Sequence, residues 1–461
     1  MISFWEVMDR AINSGPLMKM KEFDLKVYKT ASRLVKEYEI RYDPGRPIPS
    51  DDDLADRLFQ AGLRLYAEVG TYCIDTERVM QFSREELEEA LRDLSRMPDW
   101  IEIGEGIERR VLRKRGISDP RMPLVIGGVV ESNPREGRDF VQMYKSIAQE
   151  SIIDGIYYGP APKSIEGRKW LLGSPLDCHA ARSAVGWMRE ALRAVGRPGL
   201  HLLDACPSSL GSISACDPER GLRRTDAISI PTISELKVNF EGLNKVAYSL
   251  HYGCLRNPFW TSIIGGFAGG PEGAAVLCVA SAFNAILVYR VAGSGYVCNA
   301  GLLQNPAVNT ARSTLWVRNV SLQSLARNTN LICGGGGLTA AGPGTEQSLW
   351  EIAALPLRAP TAYLLWRRGH DIFRLKVSRE KLARLNVLGF GGGVLERVAN
   401  DHLVAALLRG TLDGPDQLSE KGVLNVGDQD AYGARPLGAE TTRNQIGTVL
   451  ELGDSLQHPR A

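Results

Sequence analysis

The sequence predicts an α/β fold, a TIM (β/α)8 barrel with an N-terminal helical layer and a C-terminal helical extension, on three observations. From about residue 123, short apolar runs alternate seven or eight times with helix-period segments, as in a parallel sheet joined by crossover helices. The first 120 residues are helical in pattern and more charged. Strand ends are rich in glycine, at Gly127-Gly128, Gly265-Gly266, Gly269-Gly270 and Gly334–Gly337, which suits either tight βα turns or backbone amides facing a ligand. The chain reads as one compact unit with a helical layer over 1–120, a barrel core over 121–350, and helices with an extended arm over 351–461.

In chain order, Leu54, Leu58, Leu63 and Leu65 mark a first helix. Ser83-Arg84-Glu85-Glu86 is a capping box, followed by Leu87, Leu91 and Leu94 on one helical face. Candidate strands are Leu124–Val130, Ile152–Tyr158, Leu200–Ala205, Ala227–Ile230, Ser262–Phe267, Tyr296–Ala300 and Leu331–Gly334. Ser174-Pro175 starts a helix with an N-cap and a first-turn proline; Val185, Met188, Leu192 and Val195 carry its face, and Gly196 closes it. Over 233–251, Ile233, Leu236, Phe240, Leu243, Val246 and Leu250 recur at spacings of three and four, which predicts an amphipathic helix. Ala274–Tyr289 is apolar but for Ser281 and Asn284, too short for a bilayer, and reads as a buried helix. Residues 345–408 return to a helical pattern, and 411–461 are polar and glycine-rich.

Of the 461 residues, 44% are hydrophobic and 23% charged, and 55 Lys and Arg nearly balance 53 Asp and Glu. No global field therefore favours nucleic acid or an anionic membrane. Arg109-Arg110 with Arg113-Lys114-Arg115 is a local basic patch, either a solvated face or a partner site. The eight cysteines form no Cys-x-x-Cys and no zinc-finger spacing, so a reducing cytoplasmic compartment without metal or disulfides is expected. Trp5-Glu6 and Asp9-Arg10 rule against a signal peptide. Nucleotide binding is disfavoured, because no glycine loop ends in Gly-Lys-Ser/Thr and no Gly-x-Gly-x-x-Gly opens a helix after the first strand.

Chemistry concentrates where the run 199–216 leaves its apolar strand at Asp204, Cys206 and a Pro/Ser/Gly loop. Asp204 suits pairing with a cation, acid–base work, or a turn before Pro207. Cys206 suits a nucleophile, a soft ligand, or an inert buried thiol. His201, one or two residues earlier on the strand, reads as a core or interface histidine. Tyr157, Tyr158, Phe259 and Trp260 fall at expected strand ends, as an aromatic cage for a cation or as packing under loops. Glu272 opens a helix, where an acid also suits the dipole, and Asn299 and Glu346 follow strands or start helices at the mouth.

Several blocks together resemble the corrinoid-dependent monomethylamine methyltransferases of methanogenic archaea. They are Gly70–Arg78, Arg113-Lys114-Arg115, Gly196-Arg197-Pro198-Gly199, Ile213-Ser214-Ala215, Glu235-Leu236-Lys237, His251-Tyr252, Gly265–Gly270 with Glu272, Asn284-Ala285, and Ala341-Gly342-Pro343 with Thr345-Glu346. Their order and spacing hold from about residue 50 to 350. The resemblance implies a TIM barrel, a homo-oligomer, and methyl transfer from a small amine to the Co(I) corrinoid of a separate protein. That family carries pyrrolysine at a strand end. Alignment on Arg197-Pro198-Gly199 puts Leu203 there, within a window that includes Asp204 and Ala205. Phe259 and Trp260 stand where the family has a carboxylate, and Gly336 and Leu338 where it has a glutamine and a tyrosine.

The expected activity is transfer from a small methylated, amine-type donor to a partner's corrinoid without pyrrolysine, with no tightly bound cofactor. The alternatives are a non-catalytic paralogue that binds a ligand or corrinoid protein, or a barrel enzyme of other chemistry. Asp204, Cys206 and Glu272 are the candidate catalytic residues. Leu203, Tyr158, Phe259, Trp260, Asn299, Gly336, Leu338 and Glu346 are the candidate substrate-binding residues.

Overall fold

The structure, a computed structural model, describes residues 1–46, 49–114, 126–128, 136–149, 151, 153–158, 164–204, 206, 208–233, 235–304 and 311–335. These residues belong to one compact unit, built from Met1–Asp119 and Ile126–Ala340. Gly336, Leu338, Glu346 and the readings over 345–461 lie outside the described residues.

Four helices build the N-terminal layer: Phe4–Asp9 (α1), Met20–Glu37 (α2), Asp52–Val69 (α3) and Arg84–Arg96 (α4). The Asp51 carboxylate accepts the Leu54 N–H at 2.9 Å and starts α3, whose Leu54, Leu58 and Leu65 are buried. The capping box of α4 closes both ways: Ser83 Oγ accepts the Glu86 N–H at 3.2 Å, and Glu86 accepts the Ser83 N–H at 2.9 Å. The layer is not all helix. Thr71–Cys73 (β1) and Arg78–Met80 (β2) form one hairpin, and Trp100–Ile103 (β3) and Arg110–Arg113 (β4) form another. Strands this short carry too few residues for an alternating pattern to register. The basic patch lies on the second hairpin, where Arg109, Arg110 and Arg113 each face a carboxylate, of Glu102, Asp154 and Asp99.

The remaining strands are Ile126–Gly128 (β5), Gly155–Tyr158 (β6), the small hairpin Ser164–Ile165 (β7) and Arg168–Lys169 (β8), His201–Asp204 (β9), Ala227–Pro231 (β10), Lys237–Val238 (β11), Leu255–Ile264 (β12), Val297–Gln304 (β13) and Cys333–Gly335 (β14). The helices among them are Arg138–Ala148 (α5), Pro175–Ala194 (α6), Ser209–Ala215 (α7), Phe240–Tyr252 (α8), Pro271–Leu287 (α9) and Ala311–Asn328 (α10). Among the described residues, seven strands make one sheet in the order β14-β13-β12-β10-β9-β6-β5, every neighbouring pair parallel. All seven candidate strands of the barrel core are in it. The order never reverses, and a helix follows each strand up to β13. Right-handed crossovers then place every helix on one face, so the sheet curls around the other, the arrangement of a (β/α) barrel.

Two sequence readings change. The helix expected over 233–251 begins only at Phe240, with Asn239 Oδ1 accepting the Gly242 N–H at 3.0 Å. Ile233 and Leu236 precede it, because 237–238 pair with β1 instead. The strand expected at Ser262–Phe267 starts earlier, at Leu255, and ends at Ile264. Phe259 and Trp260 thus lie within β12 rather than at a strand end, and Asn299 lies within β13 rather than after a strand.

The buried-helix reading of the apolar run holds: in α9 every residue from Gly273 to Leu287 is buried. It packs against α3, where Gly62 permits the approach; a Cβ there would lie 2.5 Å from Val279 Cγ1. Thr71 Oγ1 donates to Asn284 Oδ1 at 3.1 Å and meets the Tyr66 hydroxyl at 2.9 Å, which locks β1, α3 and α9 together. No described helix is long and apolar enough to cross a membrane.

Candidate active site

Alternation along β9 decides what each side of the sheet receives. His201 Nε2 meets the Tyr296 hydroxyl at 2.8 Å, although β10 and β12 stand between β9 and the strand that Tyr296 precedes. Such a bond crosses the concave side of the sheet, so His201 faces the lumen. Leu203, two residues on, faces it too, whereas Leu202 and Asp204 face the helices. Register extends the assignment to neighbouring strands: Tyr157 and Ala227 pair with Leu203, and Tyr158 and Ile228 pair with Asp204. Ser229 of β10, paired with Asn257, therefore faces the lumen as well. Asn257 Nδ2 donates to the Tyr296 carbonyl at 2.8 Å.

The lumen face of the described strands thus brings together Tyr157, Leu203, Ser229 and Asn257 above a floor made by His201 and Tyr296. The floor is fully paired. His201 Nδ1 lies 2.8 Å from the Thr225 carbonyl, which can only accept, so Nδ1 carries the proton and Nε2 accepts from Tyr296. Burial holds the imidazole pKa below its ordinary value, which keeps it neutral. Ser229 differs: its hydroxyl is buried and makes no hydrogen bond to the described protein. The sequence held one signal for it, a lone hydroxyl inside the apolar run Ala227–Ile230.

Asp204 and Cys206, expected to share a pocket, stand on the helix side. Asp204 is fully buried; its Oδ1 accepts the Cys206 N–H at 3.0 Å and its Oδ2 the Ser212 hydroxyl of α7 at 2.5 Å. Lys245 of α8 donates to the carbonyls of Cys206 at 2.5 Å and Ser229 at 3.3 Å. These bonds fasten the ends of β9 and β10 to the helices that follow them. Burial, with the Asp204 carboxylate adding to it, pushes the Cys206 thiol well above its usual range, the opposite of what a thiolate nucleophile needs. Tyr158 shares this side, fully buried beside Asp204, and its ionisation is likewise pushed up, mainly by burial. It is turned away from the lumen, which Tyr157 faces instead. Glu272, in the first turn of α9, accepts the Tyr42 N–H at 3.1 Å and so ties the N-terminal layer to the barrel.

Higher up, the turn Gly265–Gly270 follows β12 at the mouth, and Glu235 packs against it. Its carboxylate accepts the Phe267 N–H at 2.9 Å, while Oε1 is buried without a hydrogen-bond partner. Burial raises this carboxyl to about 7, against the opposing pull of the Phe267 and Ala268 amides and Lys237. Sequence reasoning named Glu235 only as part of a resemblance block. Among the described residues, no three His, Cys, Asp or Glu side chains are placed to hold a metal ion.

The profile described as monomethylamine methyltransferase MtmB matches residues 2–361. Monomethylamine methyltransferase MtmB2 of Methanosarcina acetivorans is 29% identical over 356 residues, covering 76% of this chain and 75% of its own. Monomethylamine methyltransferase MtmB1 of Methanosarcina barkeri is 28% identical over 353 residues, with coverage of 76% and 75%. Among solved structures, the monomethylamine methyltransferase MtmB of Methanosarcina barkeri matches with a TM-score of 0.71 at 23% identity, over 98% of both chains. The hydroxylamine complex of MtmB matches with a TM-score of 0.72 at 22% identity, again over 98% of both. The barrel predicted from sequence is the fold these structures share.

Proposed function

The chain belongs to the monomethylamine methyltransferase MtmB family, and from that premise we propose that it moves a methyl group from a small methylated, amine-type donor to the Co(I) corrinoid of a partner protein, without pyrrolysine. The observation that carries this reading is the extent of the family match, residues 2–361, which takes in the helical layer and the sheet that bears Leu203.

The reaction is an in-line displacement, in which a Co(I) corrinoid brought by the partner supplies the nucleophile. The carbon–nitrogen bond breaks with its electron pair leaving on the amine, so the donor must be aligned and carry the right charge state. This chain's residues suit that task. Tyr157, Leu203, Ser229 and Asn257 offer an uncharged lumen wall, and Ser229 has a hydroxyl free to bond a donor. The paired His201–Tyr296 floor gives the wall a rigid base. With Leu203 where the resemblance places pyrrolysine, orientation rests on shape and hydrogen bonding rather than covalent capture. Asp204 and Lys245 act at one remove, by fixing the strand ends.

Leu203 also favours a second reading, a paralogue that binds without turnover. Reduced corrinoid protein mixed with the enzyme and a panel of mono-, di-, tri- and tetramethylated amines separates the two. Growth of methyl–cobalt absorbance with one donor supports transfer. Docking of the corrinoid protein with no absorbance change for any donor contradicts it and leaves the paralogue.

A further inference from the structure

We propose that Glu235 is an ammonium-recognising residue at the barrel mouth, binding a small organic cation through its unpartnered carboxylate oxygen. The inference rests on the reading above for its substrate class. Glu235 is 2% exposed, and only part of its acceptor capacity is used: Phe267 donates at 2.9 Å, but Oε1 has no hydrogen-bond partner. A buried carboxylate left half-satisfied is costly, and a partner that brings a donor to it relieves that cost.

The surroundings leave that oxygen buried but without a donor. Glu235 and Leu236 both have positive φ, 69° and 63°, a conformation that two successive non-glycine residues adopt only when their surroundings enforce it. Lys237, two residues away, is the cation nearest in sequence. It is directed elsewhere, into an ion pair with Asp24 of α2 and to 4.7 Å from the Phe267 ring. Gly266 lets the turn pack directly on the carboxylate, since a Cβ there would lie 2.5 Å from Glu235 Oε1 and 2.7 Å from Ile263 Cβ. Ser262 turns to α9, where the Cys278 thiol donates to its hydroxyl at 3.1 Å, so Ile263 faces the lumen and Oε1 lies beside it. The turn that carries Gly266 contributes backbone to this spot, and Lys237 and Asp24 are the charged side chains that bear on the Glu235 carboxyl.

The occupant is a compact primary or methylated ammonium. An N–H donor bonds the free oxygen, and its charge compensates the carboxylate. Burial favours the protonated acid in the empty site, so cation binding below neutral pH displaces one proton to solvent.

The test is calorimetric titration of the whole protein with methylammonium chloride at pH 6 in two buffers of different ionisation enthalpy. Methanol, detected by saturation-transfer NMR, is the neutral comparator. The expected result is methylammonium binding with release of close to one proton. In Glu235→Gln, checked for folding by thermal denaturation, affinity falls roughly tenfold or more and proton release disappears, while methanol binding is unchanged. Equal methylammonium affinity in the folded variant, or wild-type binding without proton release, would overturn the proposal, and the proton count does not depend on any variant folding. Methyl transfer absent for every donor would sink the methyltransferase reading while leaving this binding result intact.

Discussion

The Tyr296 hydroxyl donates to His201 Nε2 at 2.8 Å and joins β9 to the residue that leads into β13, a strand that is not its neighbour in the sheet. This bond closes the lumen below Leu203. Tyr296→Phe leaves a buried ring nitrogen without its donor, and chemical denaturation is expected to show a loss of about 1–3 kcal/mol. The His201 pKa is lowered in the fold, so below about pH 6.5 the unfolded chain binds the extra proton and stability is lost as pH falls. Urea midpoints across that window check the sign.

For Glu235 the sign is opposite. Its carboxyl rises from 4.5 to about 7 in the fold, so between these values the native state keeps a proton that the unfolded chain releases. Stability therefore falls as pH rises through this window, by roughly 3 kcal/mol in total. Glu235→Gln should lack that slope. Denaturation curves of the two proteins that run parallel from pH 4.5 to 7 would refute the assignment.

The Asp204 brace makes a different forecast. Asp204→Ala strips the Cys206 amide and the Ser212 hydroxyl of their acceptor and should destabilise the fold by about 2–4 kcal/mol. Asp204→Asn retains an acceptor and should cost about 1 kcal/mol. Because neither side chain faces the lumen, the apparent KM for the methyl donor should stay unchanged in the Asn variant, measured alongside its unfolding midpoint.

What the sequence could convey follows from how local each signal is. The capping box at Ser83 and the apolar run of α9 are set by residues within a few positions, and both were legible. The 233–251 reading failed because Ile233 and Leu236 fit a helical period by spacing alone. Pairing of 237–238 with β1, some 165 residues away, overrode it. Arg256-Asn257-Pro258 masked the start of β12, since a proline argues against strand interior. Alternation along β9 was readable but its phase was not, so Leu203 and Asp204 could not be assigned to faces without the His201–Tyr296 contact. Glu235 was hidden for a related reason: its value lies in an unpaired oxygen, and pairing is a property of the fold.

Lumen-facing Leu203 carries the central claim, and its contrast with Asp204 tests it most directly. Initial rates of methyl–cobalt formation should be compared in the wild type, Leu203→Trp and Asp204→Asn, using reduced corrinoid protein and the active methylated amine. The account predicts methyl–cobalt formation in the wild type and Asp204→Asn, and its loss in folded Leu203→Trp, whose bulk fills the lumen. Unchanged rates in Leu203→Trp, with loss in a stably folded Asp204→Asn, would contradict it.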